Sequence, residues 1–366
     1  MSLVQRLSEL VAFDSQNPSG DDRPICEWLR RELTSLGAEQ VVLESLGRTG
    51  FVYAAFGHEP SLLINAHVDT VPANHGYTNP PHELVRQGSR CLGLGAADTK
   101  GAIAALLEAL WSLRAESRPI GNVAILFSGD EELGGTALDA FLRLPLCASL
   151  RSAIVCEPTG CRVGSRHRGV ASLTALVQGE GGHSAGADHL VNPVAVLCRA
   201  AVALEQFGIS QRETGPTGFQ GLCLNIASLE GGRAFNVVPS SATLTVSIRP
   251  GPGRPLAPLI EELHEIVRGA AAPHAVTWRV EIANAPFATR DLEAFRPALG
   301  ELVDHPVDLP FWSEAAQFSQ AGIDAVVFGP GQIEQAHSAD EYVELEQLEL
   351  AYQLFRAALA RPDSAR

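Results

Sequence analysis

A histidine and an aspartate stand two residues apart at the end of an apolar run, in the segment His67-Val68-Asp69. The run over 61–66 predicts a buried strand, and in an extended chain residues two apart project to the same side. An acid beside an imidazole holds one ring nitrogen and leaves the other free for a metal ion. The segment therefore indicates a metal-binding histidine, although a strand that ends in a polar turn has the same pattern.

Further acids and one histidine also follow apolar runs, as functional residues do at the carboxyl ends of strands in an α/β sheet. The candidate site residues are His67, Asp69, Asp98, Glu131, Glu132, Glu157 and His337. Imidazole and carboxylate groups without thiolate suit a catalytic zinc, cobalt or manganese ion. One ion needs about three protein ligands, so this set suits two ions, which would also relieve the repulsion among the carboxylates.

The length of 366 residues predicts two domains at about 150 residues per domain. Hydrophobic residues make up 46% and charged residues 19% of the chain, which permits a large core and argues against disorder. The net charge of −15 argues against nucleic acid or an anionic membrane as a partner.

The chain has 7 cysteines, an odd number without a Cys-x-x-Cys pair, which favours reduced thiols in a cytoplasm over a disulfide framework. The segment 2–13 is amphipathic and unlike a signal sequence, and no run approaches the roughly 18 apolar residues of a membrane span. Lys100 is the only lysine. Its position beside Asp98 suggests that arginine does not fit there, although chance would give the same result.

The pattern changes in the middle of the chain, where residues 162–283 have the strand and helix order of a ferredoxin-like βαββαβ unit. We therefore predict that this segment is a domain inserted into a first domain formed by residues 1–161 and 284–366. The inserted domain is predicted to contain strands 171–177, 222–229, 242–249 and 276–282, with helices 192–207 and 256–269. In the first domain we also predict helices over 292–302 and 313–321.

Several motifs occur in order along nearly the whole chain. They are Asn17-Pro18-Ser19-Gly20, His67-Val68-Asp69, Asp98-Thr99-Lys100-Gly101, Asp130-Glu131-Glu132, Glu157-Pro158-Thr159, Gly182-His183-Ser184, Asn236-Val237-Val238-Pro239, Arg249-Pro250, and Gly329-Pro330-Gly331 with His337. In this order the motifs resemble the two-zinc amidohydrolase family of acetylornithine deacetylase, succinyl-diaminopimelate desuccinylase, aminoacylase and glutamate carboxypeptidase. The resemblance implies an α/β catalytic domain with a mixed central sheet flanked by helices, plus an inserted lid domain.

The resemblance also implies which residues bind two divalent ions, Zn²⁺ or Co²⁺. Asp98 would bridge the ions and precede a cis peptide bond to Thr99. One ion would be completed by His67 and Glu157, and the other by Glu132 and His337.

Three catalytic roles follow from the resemblance. Asp69 would orient His67, and Glu131 would be the general base that takes a proton from the attacking water. The inserted domain would carry the interface of a homodimer, and its His183 would donate a hydrogen bond to the oxyanion in the partner's active site.

Three positions in the sequence bear on the identity of the substrate. Asn236 and Arg249 match the family's substrate residues, and Arg249 suits a carboxylate, although a surface salt bridge is an equal alternative. Where many family members have Gly-Thr/Ser-Asp, this chain has Phe311-Trp312-Ser313-Glu314-Ala315, which resembles the acetylornithine and acetylcitrulline deacetylase branch. Glu314 would face the substrate's side-chain amine, or would simply cap a helix.

We therefore expect a cytoplasmic enzyme that removes acetyl from an N-acetyl-L-amino acid, acetylornithine or acetylcitrulline, in arginine biosynthesis. Desuccinylation of succinyl-diaminopimelate, or cleavage of a dipeptide, is the alternative within the family. It would need a second cationic group, for which Arg233 is the nearest candidate. A catalytically silent binding protein would be expected to lack Glu131 or a metal ligand, and none is missing.

Overall fold

The computed structural model describes residues 2–360, which fall into two compact units. Of the described residues, the larger unit comprises 2–165, 289–309 and 313–360, and the inserted unit comprises 166–288 and 310–312. The predicted boundaries, after residues 161 and 283, lie four and five residues earlier in the chain. The catalytic and dimerisation roles of the two domains stay predictions.

The strands and helices of the described residues are numbered in chain order. The strands are β1 (Gln40–Leu46), β2 (Thr49–Phe56), β3 (Leu62–His67), β4 (Val85–Gln87), β5 (Arg90–Leu92), β6 (Val123–Ser128), β7 (Ser152–Val155), β8 (Gly164–His167), β9 (Val170–Gln178), β10 (Gly182–His183), β11 (Asn225–Gly231), β12 (Val237–Val238), β13 (Ser241–Ile248), β14 (Thr277–Asn284), β15 (Phe287–Ala288), β16 (Val307–Leu309), β17 (Asp324–Val327) and β18 (Tyr342–Glu344). The helices are α1 (Leu3–Val11), α2 (Arg23–Ser35), α3 (Lys100–Ala115), α4 (Thr136–Leu142), α5 (Pro193–Ser210), α6 (Leu256–Ala271), α7 (Arg296–Leu299), α8 (Ala315–Gln320) and α9 (Leu345–Leu359).

The main sheet of the larger unit is mixed, in the order β1-β2-β6-β3-β7-β17-β8. Strands β6, β3, β7 and β17 are parallel, whereas β1, β2 and β6 pair antiparallel. The predicted fold class is confirmed. Because the parallel strands end at one edge of the sheet, the segments that follow β3, β6 and β7 meet there.

The core of the larger unit explains why its central strands read as continuous apolar runs. All six residues of β6 are buried, as are five of the six in β3, because helices cover both faces of a parallel sheet. Helix α3 is apolar almost all round and packs against both α1 and α9. Burying one such leucine or isoleucine contributes about 1.5–3 kcal/mol.

The inserted unit has the predicted βαββαβ order, β9-α5-β11-β13-α6-β14. Its four strands form an antiparallel sheet in the order β11-β13-β9-β14. Every second residue of β9 and β13 is buried, which is the pattern of a sheet with helices on one face.

Helix α5 departs from one expectation. It has 18 residues and is long and apolar enough, by length and composition alone, to cross a membrane, whereas the sequence analysis found no run approaching that length. Its buried residues are Pro193, Val196, Leu197, Ala200 and Leu204. They lie on one side of the helix and pack on the sheet of the same unit, as in the core helix of a globular domain.

The predicted helix over 292–302 is wrong. The segment consists of a 3₁₀ turn over Leu292–Phe295, the four-residue α7, and another 3₁₀ turn over Gly300–Asp304. Proline at position 297 removes a backbone donor, and Gly300 has a positive φ of 60°, which ends α7. Helix α8 is also shorter than the predicted 313–321.

Candidate metal centre

The candidate ligands follow neighbouring strands of the larger unit. His67 ends β3, and Glu131 and Glu132 lie in a 3₁₀ turn directly after β6. Glu157 follows β7 by two residues, and Asp98 precedes α3 by two. His337 comes from a loop in which its φ is 56°. The fold thus brings together six residues that are separated by up to 270 positions in the sequence.

His67 is held in one orientation by the backbone that follows it. Its Nδ1 lies 2.9 Å from the Asp69 carbonyl oxygen and 3.4 Å from Asp69 Oδ1. Its Nε2 lies 2.9 Å from Asp98 Oδ1. With Nδ1–H donated to Asp69, Nε2 faces Asp98 as the nitrogen available to a metal ion.

Asp98 belongs to two potential ligand groups. Ligand atoms of His67, Asp98 and Glu157 lie within 4.8 Å of one another, and so do those of Asp98, Glu132 and His337. His337 Nε2 is 2.8 Å from Glu132 Oε1 and 3.3 Å from Asp98 Oδ2. One oxygen of Asp98 therefore faces each histidine, which is the arrangement of a bridging carboxylate. The peptide bond from Asp98 to Thr99 is cis.

The chemistry of this set fits two divalent cations. Burial, and then the charge of Glu157, holds the pKa of Glu131 well above its usual range. Burial, and then the charge of Asp98, does the same to the pKa of Glu157, whose Oε1 is buried without a hydrogen-bond partner among the described residues. Asp98 and Glu132 raise the pKa of His337 to about 10. Cations bound between these groups would supply positive charge that the protein itself provides only by taking up protons.

Asp69 does more than orient His67. Its Oδ1 accepts the backbone N–H of Glu131 at 3.1 Å, and its Oδ2 accepts the N–H of Glu132 at 3.1 Å. Asn17 donates from Nδ2 to the same Oδ2 at 2.6 Å. The buried carboxylate therefore fixes the turn that carries both glutamates. Asn17 belongs to one of the motifs found in the sequence, but no role was predicted for it.

Glu341 has a similar supporting role that the sequence did not suggest. Its carboxylate accepts the backbone N–H groups of Gly95 at 2.8 Å, Ala97 at 2.9 Å and Asp98 at 3.0 Å. Burial raises its pKa to about 7. Glu341 thus shapes the loop that presents Asp98. The only sequence signal was an acid four residues after His337.

Lys100, the only lysine of the chain, is completely buried at the start of α3. Its Nζ donates to the carbonyl oxygen of Phe13 at 2.9 Å. Burial lowers the pKa of Lys100 to about 8. A compact ammonium group fits this confined position, where the wider guanidinium of arginine would need more room.

The other predicted site residues lie in the inserted unit. His183 is exposed, and its Nδ1 accepts the N–H of Ala185 at 3.1 Å, so the neutral ring carries its proton on Nε2. The Asn236 carbonyl oxygen accepts the N–H of Ser184 at 3.0 Å, which joins the two loops. Arg249 follows β13 with an exposed side chain. The roles of His183, Asn236 and Arg249 stay predictions.

Glu314 lies in the larger unit and is only 1% exposed. Its Oε2 accepts a hydrogen bond from Ser128 Oγ at 2.7 Å. It is therefore neither an exposed carboxylate nor a side-chain cap of α8, which has no such hydrogen bond. Its predicted contact with a substrate amine stays a prediction.

Comparison with known proteins identifies the family of this chain. Residues 63–361 match the model of the peptidase family M20/M25/M40. The chain therefore belongs to this family of metal-dependent peptidases and amidohydrolases.

Individual relatives cover most of the chain. The chain is 33% identical to an N-acetyl-L-citrulline deacetylase of Xanthomonas campestris pv. campestris, over 95% of this chain and 94% of the relative. It is 30% identical to an acetylornithine deacetylase of Myxococcus xanthus, again over 95% of this chain and 94% of the relative. Among solved structures, a dinuclear metal-binding peptidase of the M20 family from Bacillus subtilis aligns with a TM-score of 0.71 at 16% identity, covering 98% of this chain and 96% of that chain.

Proposed function

We propose that this protein hydrolyses the amide bond of an N-acetyl-L-amino acid, of the acetylornithine or acetylcitrulline type, and releases acetate and the free amino acid. The observation that carries this proposal is the position of Asp98, shared by two ligand groups at the end of the sheet. The names of the two relatives described above support the substrate class.

The proposed cofactor is a pair of Zn²⁺ or Co²⁺ ions. His67, Asp98 and Glu157 would hold one ion, and Asp98, Glu132 and His337 the other. When bound, such ions lower the pKa of a water molecule and polarise the carbonyl oxygen of the amide. Metal analysis of the purified active protein tests this: fewer than two bound ions per chain would contradict it.

Glu131 is the proposed general base. Its backbone is fixed by Asp69, while its side chain lies among His67 and Glu132. The Glu131 carboxylate takes one proton from the water molecule whose oxygen bonds to the acetyl carbon. It then passes that proton to the amide nitrogen as the carbon–nitrogen bond breaks, so that the products are acetate and a free amine.

His183 is the proposed oxyanion donor. Because Ala185 N–H occupies its Nδ1, the ring presents Nε2–H outward as a donor. We propose that this group donates to the oxygen that becomes negative when water attacks the carbonyl. In comparable sites one such donor contributes about 3–4 kcal/mol to the transition state.

Asn236 and Arg249 are the proposed substrate-binding residues, with the Arg249 guanidinium on the α-carboxylate of the amino acid. A second candidate function in the same family is removal of a succinyl group or cleavage of a dipeptide. The exposed Arg233, three residues before Asn236, would then bind the additional carboxylate. A preference for succinyl over acetyl substrates that is lost in Arg233→Ala would favour this alternative.

We also propose that the protein is a cytoplasmic homodimer that acts in arginine biosynthesis. Exposed Cys198, Val202 and Ile209 lie along α5, and the edge strand β11 lies beside this helix in the inserted unit. All seven cysteines are free thiols, which fits a reducing compartment. Val202→Glu should give a monomer in light scattering, whereas the same change at Leu350, an exposed residue of the larger unit, should leave the dimer intact.

The experiment that tests the function measures the free amine released from a panel of N-acyl amino acids by metal-replete protein. The panel includes acetylornithine, acetylcitrulline, succinyl-diaminopimelate and a dipeptide. We expect the highest kcat/KM for one of the two acetyl substrates. Absence of turnover on every member, or turnover that a chelator does not affect, would refute the proposal. Complementation of an arginine-requiring strain tests the pathway.

A further inference from the structure

The buried carboxyl group of Glu314 has no part in the proposed reaction and is incompletely hydrogen-bonded. It precedes α8 and is 1% exposed. Ser128 Oγ donates to its Oε2 at 2.7 Å. Its Oε1 is buried and has no partner within the described part of the chain. A buried acceptor without a donor destabilises the folded state, so the position of this oxygen requires an explanation.

Asn65 shows the same imbalance beside it. Its Nδ2 donates to Ser128 Oγ at 3.1 Å, while its Oδ1 is buried and has no partner among residues 2–360. Ser128 Oγ therefore lies between the two side chains, accepting from Asn65 and donating to Glu314. Asn65 Oδ1 and Glu314 Oε1 each remain without a hydrogen-bond partner in the described part of the chain, although Asn65 lies close enough to Glu314 to lower the pKa of its carboxyl group.

One hydrogen shared between Glu314 Oε1 and Asn65 Oδ1 would give both oxygens a hydrogen-bond partner. The single hydroxyl hydrogen of Ser128 is already used on Glu314. A carboxylate ion only accepts hydrogen bonds, whereas a neutral carboxylic acid also donates one. We infer that Glu314 holds a proton on Oε1 as a neutral acid and donates it to Asn65, completing a network of Asn65, Ser128 and Glu314 that positions the metal-binding end of the sheet.

The network is connected to the candidate metal centre through the backbone. Ser128 is the register partner of His67 in the β3–β6 pair, and its carbonyl oxygen accepts the N–H of Val68 at 2.8 Å. Asn65 precedes His67 by two residues on β3 and so projects to the same side. Glu314 thereby acts on His67 through its neighbours and is a positioning residue.

The carboxylates around Glu314 also favour its neutral form. They are Asp69 at the end of β3, Glu131 after β6 and Glu157 after β7, whereas the charge of His67 and the hydrogen bonds from Ser128 and Asn65 favour the ionised form. Burial is the main cause that raises the pKa of Glu314 to about 7. A neutral acid adds no further negative charge to these carboxylates.

Glutamine is a close mimic of the neutral acid, because its amide oxygen can accept and its NH₂ group can donate a hydrogen bond in a side chain of nearly the same shape. The first experiment compares urea unfolding of metal-depleted wild type, Glu314→Gln, Glu314→Ala and the exposed control Glu349→Gln at pH 5 and pH 9. Because the pKa of Glu314 is higher in the folded than in the unfolded chain, wild type loses stability relative to Glu314→Gln as pH rises from about 4.5 through 7.

The expected result is that Glu314→Gln matches wild type at pH 5 and has the higher urea midpoint at pH 9. Glu314→Ala should have a lower midpoint than Glu314→Gln at both pH values, and Glu349→Gln should follow wild type throughout. A Glu314→Gln variant that is less stable than wild type at pH 9 would overturn the inference.

The second experiment rests on the proposed function and separates positioning from substrate binding. We expect Glu314→Gln to keep kcat and KM within about threefold for both acetylornithine and acetylcitrulline, and Glu314→Ala to lose more than about tenfold in kcat at unchanged KM. A rise in KM of Glu314→Gln for the cationic acetylornithine alone would show an ionised, substrate-binding carboxylate instead. If wild type itself does not deacetylate, the proposed function fails, and the urea comparison still decides about Glu314.

Discussion

The replacement Glu341→Ala tests how the protein holds Asp98 in place. It removes the acceptor of three backbone N–H groups, those of Gly95, Ala97 and Asp98. Each buried donor left without a partner costs about 1–3 kcal/mol, and some of this is recovered when water enters the space, so we expect a total loss of about 3–5 kcal/mol. That is a large part of the 5–15 kcal/mol typical of a folded domain.

The free energy of unfolding that Glu341→Ala loses should depend on pH. Burial raises the pKa of Glu341 to about 7 in the folded chain. The folded state therefore favours the protonated form, and the stabilising contribution of Glu341 is complete below pH 4.5 and declines as pH rises through 7. The stability difference between wild type and Glu341→Ala should be largest near pH 5 and smaller at pH 8.

The assay is urea unfolding of the metal-depleted proteins at both pH values, together with a competition titration of zinc against a chromophoric chelator. Glu344→Ala is the matched control, because Glu344 lies three residues after Glu341, at the end of β18, and makes a half-exposed ion pair with Arg90 that is worth at most about 1 kcal/mol. We expect Glu341→Ala to bind zinc more weakly, since the Asp98 loop loses its support. Equal unfolding free energies and zinc affinities for Glu341→Ala and Glu344→Ala would refute this reasoning.

The other predictions concern the proposed reaction. Glu131→Gln should lower kcat by about 10²–10⁴ with unchanged metal content by mass spectrometry, because it removes the general base and leaves the ligands; the exposed control Glu334→Gln should be fully active. His183→Ala should lower kcat by about 10²–10³ without changing the unfolding midpoint, whereas His189→Ala, in the same exposed turn, should do neither. Chelation should abolish activity, and added Zn²⁺ or Co²⁺ should restore it; activity that survives complete metal removal would contradict the proposed centre.

The cluster of candidate metal ligands could be predicted from the sequence, because each of these residues stands in a recognisable local sequence pattern. An acid or histidine directly after a buried apolar run identifies a strand end, and parallel strands bring such ends together, as happens for His67 and Glu157. The supporting groups have no such signal. Glu341 binds backbone N–H groups of a loop about 245 residues away in the chain, and only the folded path of that loop reveals them.

The absence of a single helix over 292–302 has a physical reason as well. The apolar spacing over 292–302 predicted one helix, but a proline and a glycine with positive φ divide the segment into short turns. The motif position of Glu314 likewise did not indicate that its side chain is buried, and its predicted contact with a substrate amine stays a prediction. Burial depends on how α8 packs in three dimensions, which the order of residues along the chain does not disclose.

The isolated lysine gives this chain an unusual chemical property. An acylating reagent such as an activated ester finds no exposed lysine on the folded protein, because the single ε-amino group is enclosed and bound to Phe13. Acylation at Lys100 therefore requires that the region between α1 and α3 opens. The mass increase of the peptide that contains Lys100, after a short pulse of reagent, would measure how often this region opens, at one known position two residues from Asp98.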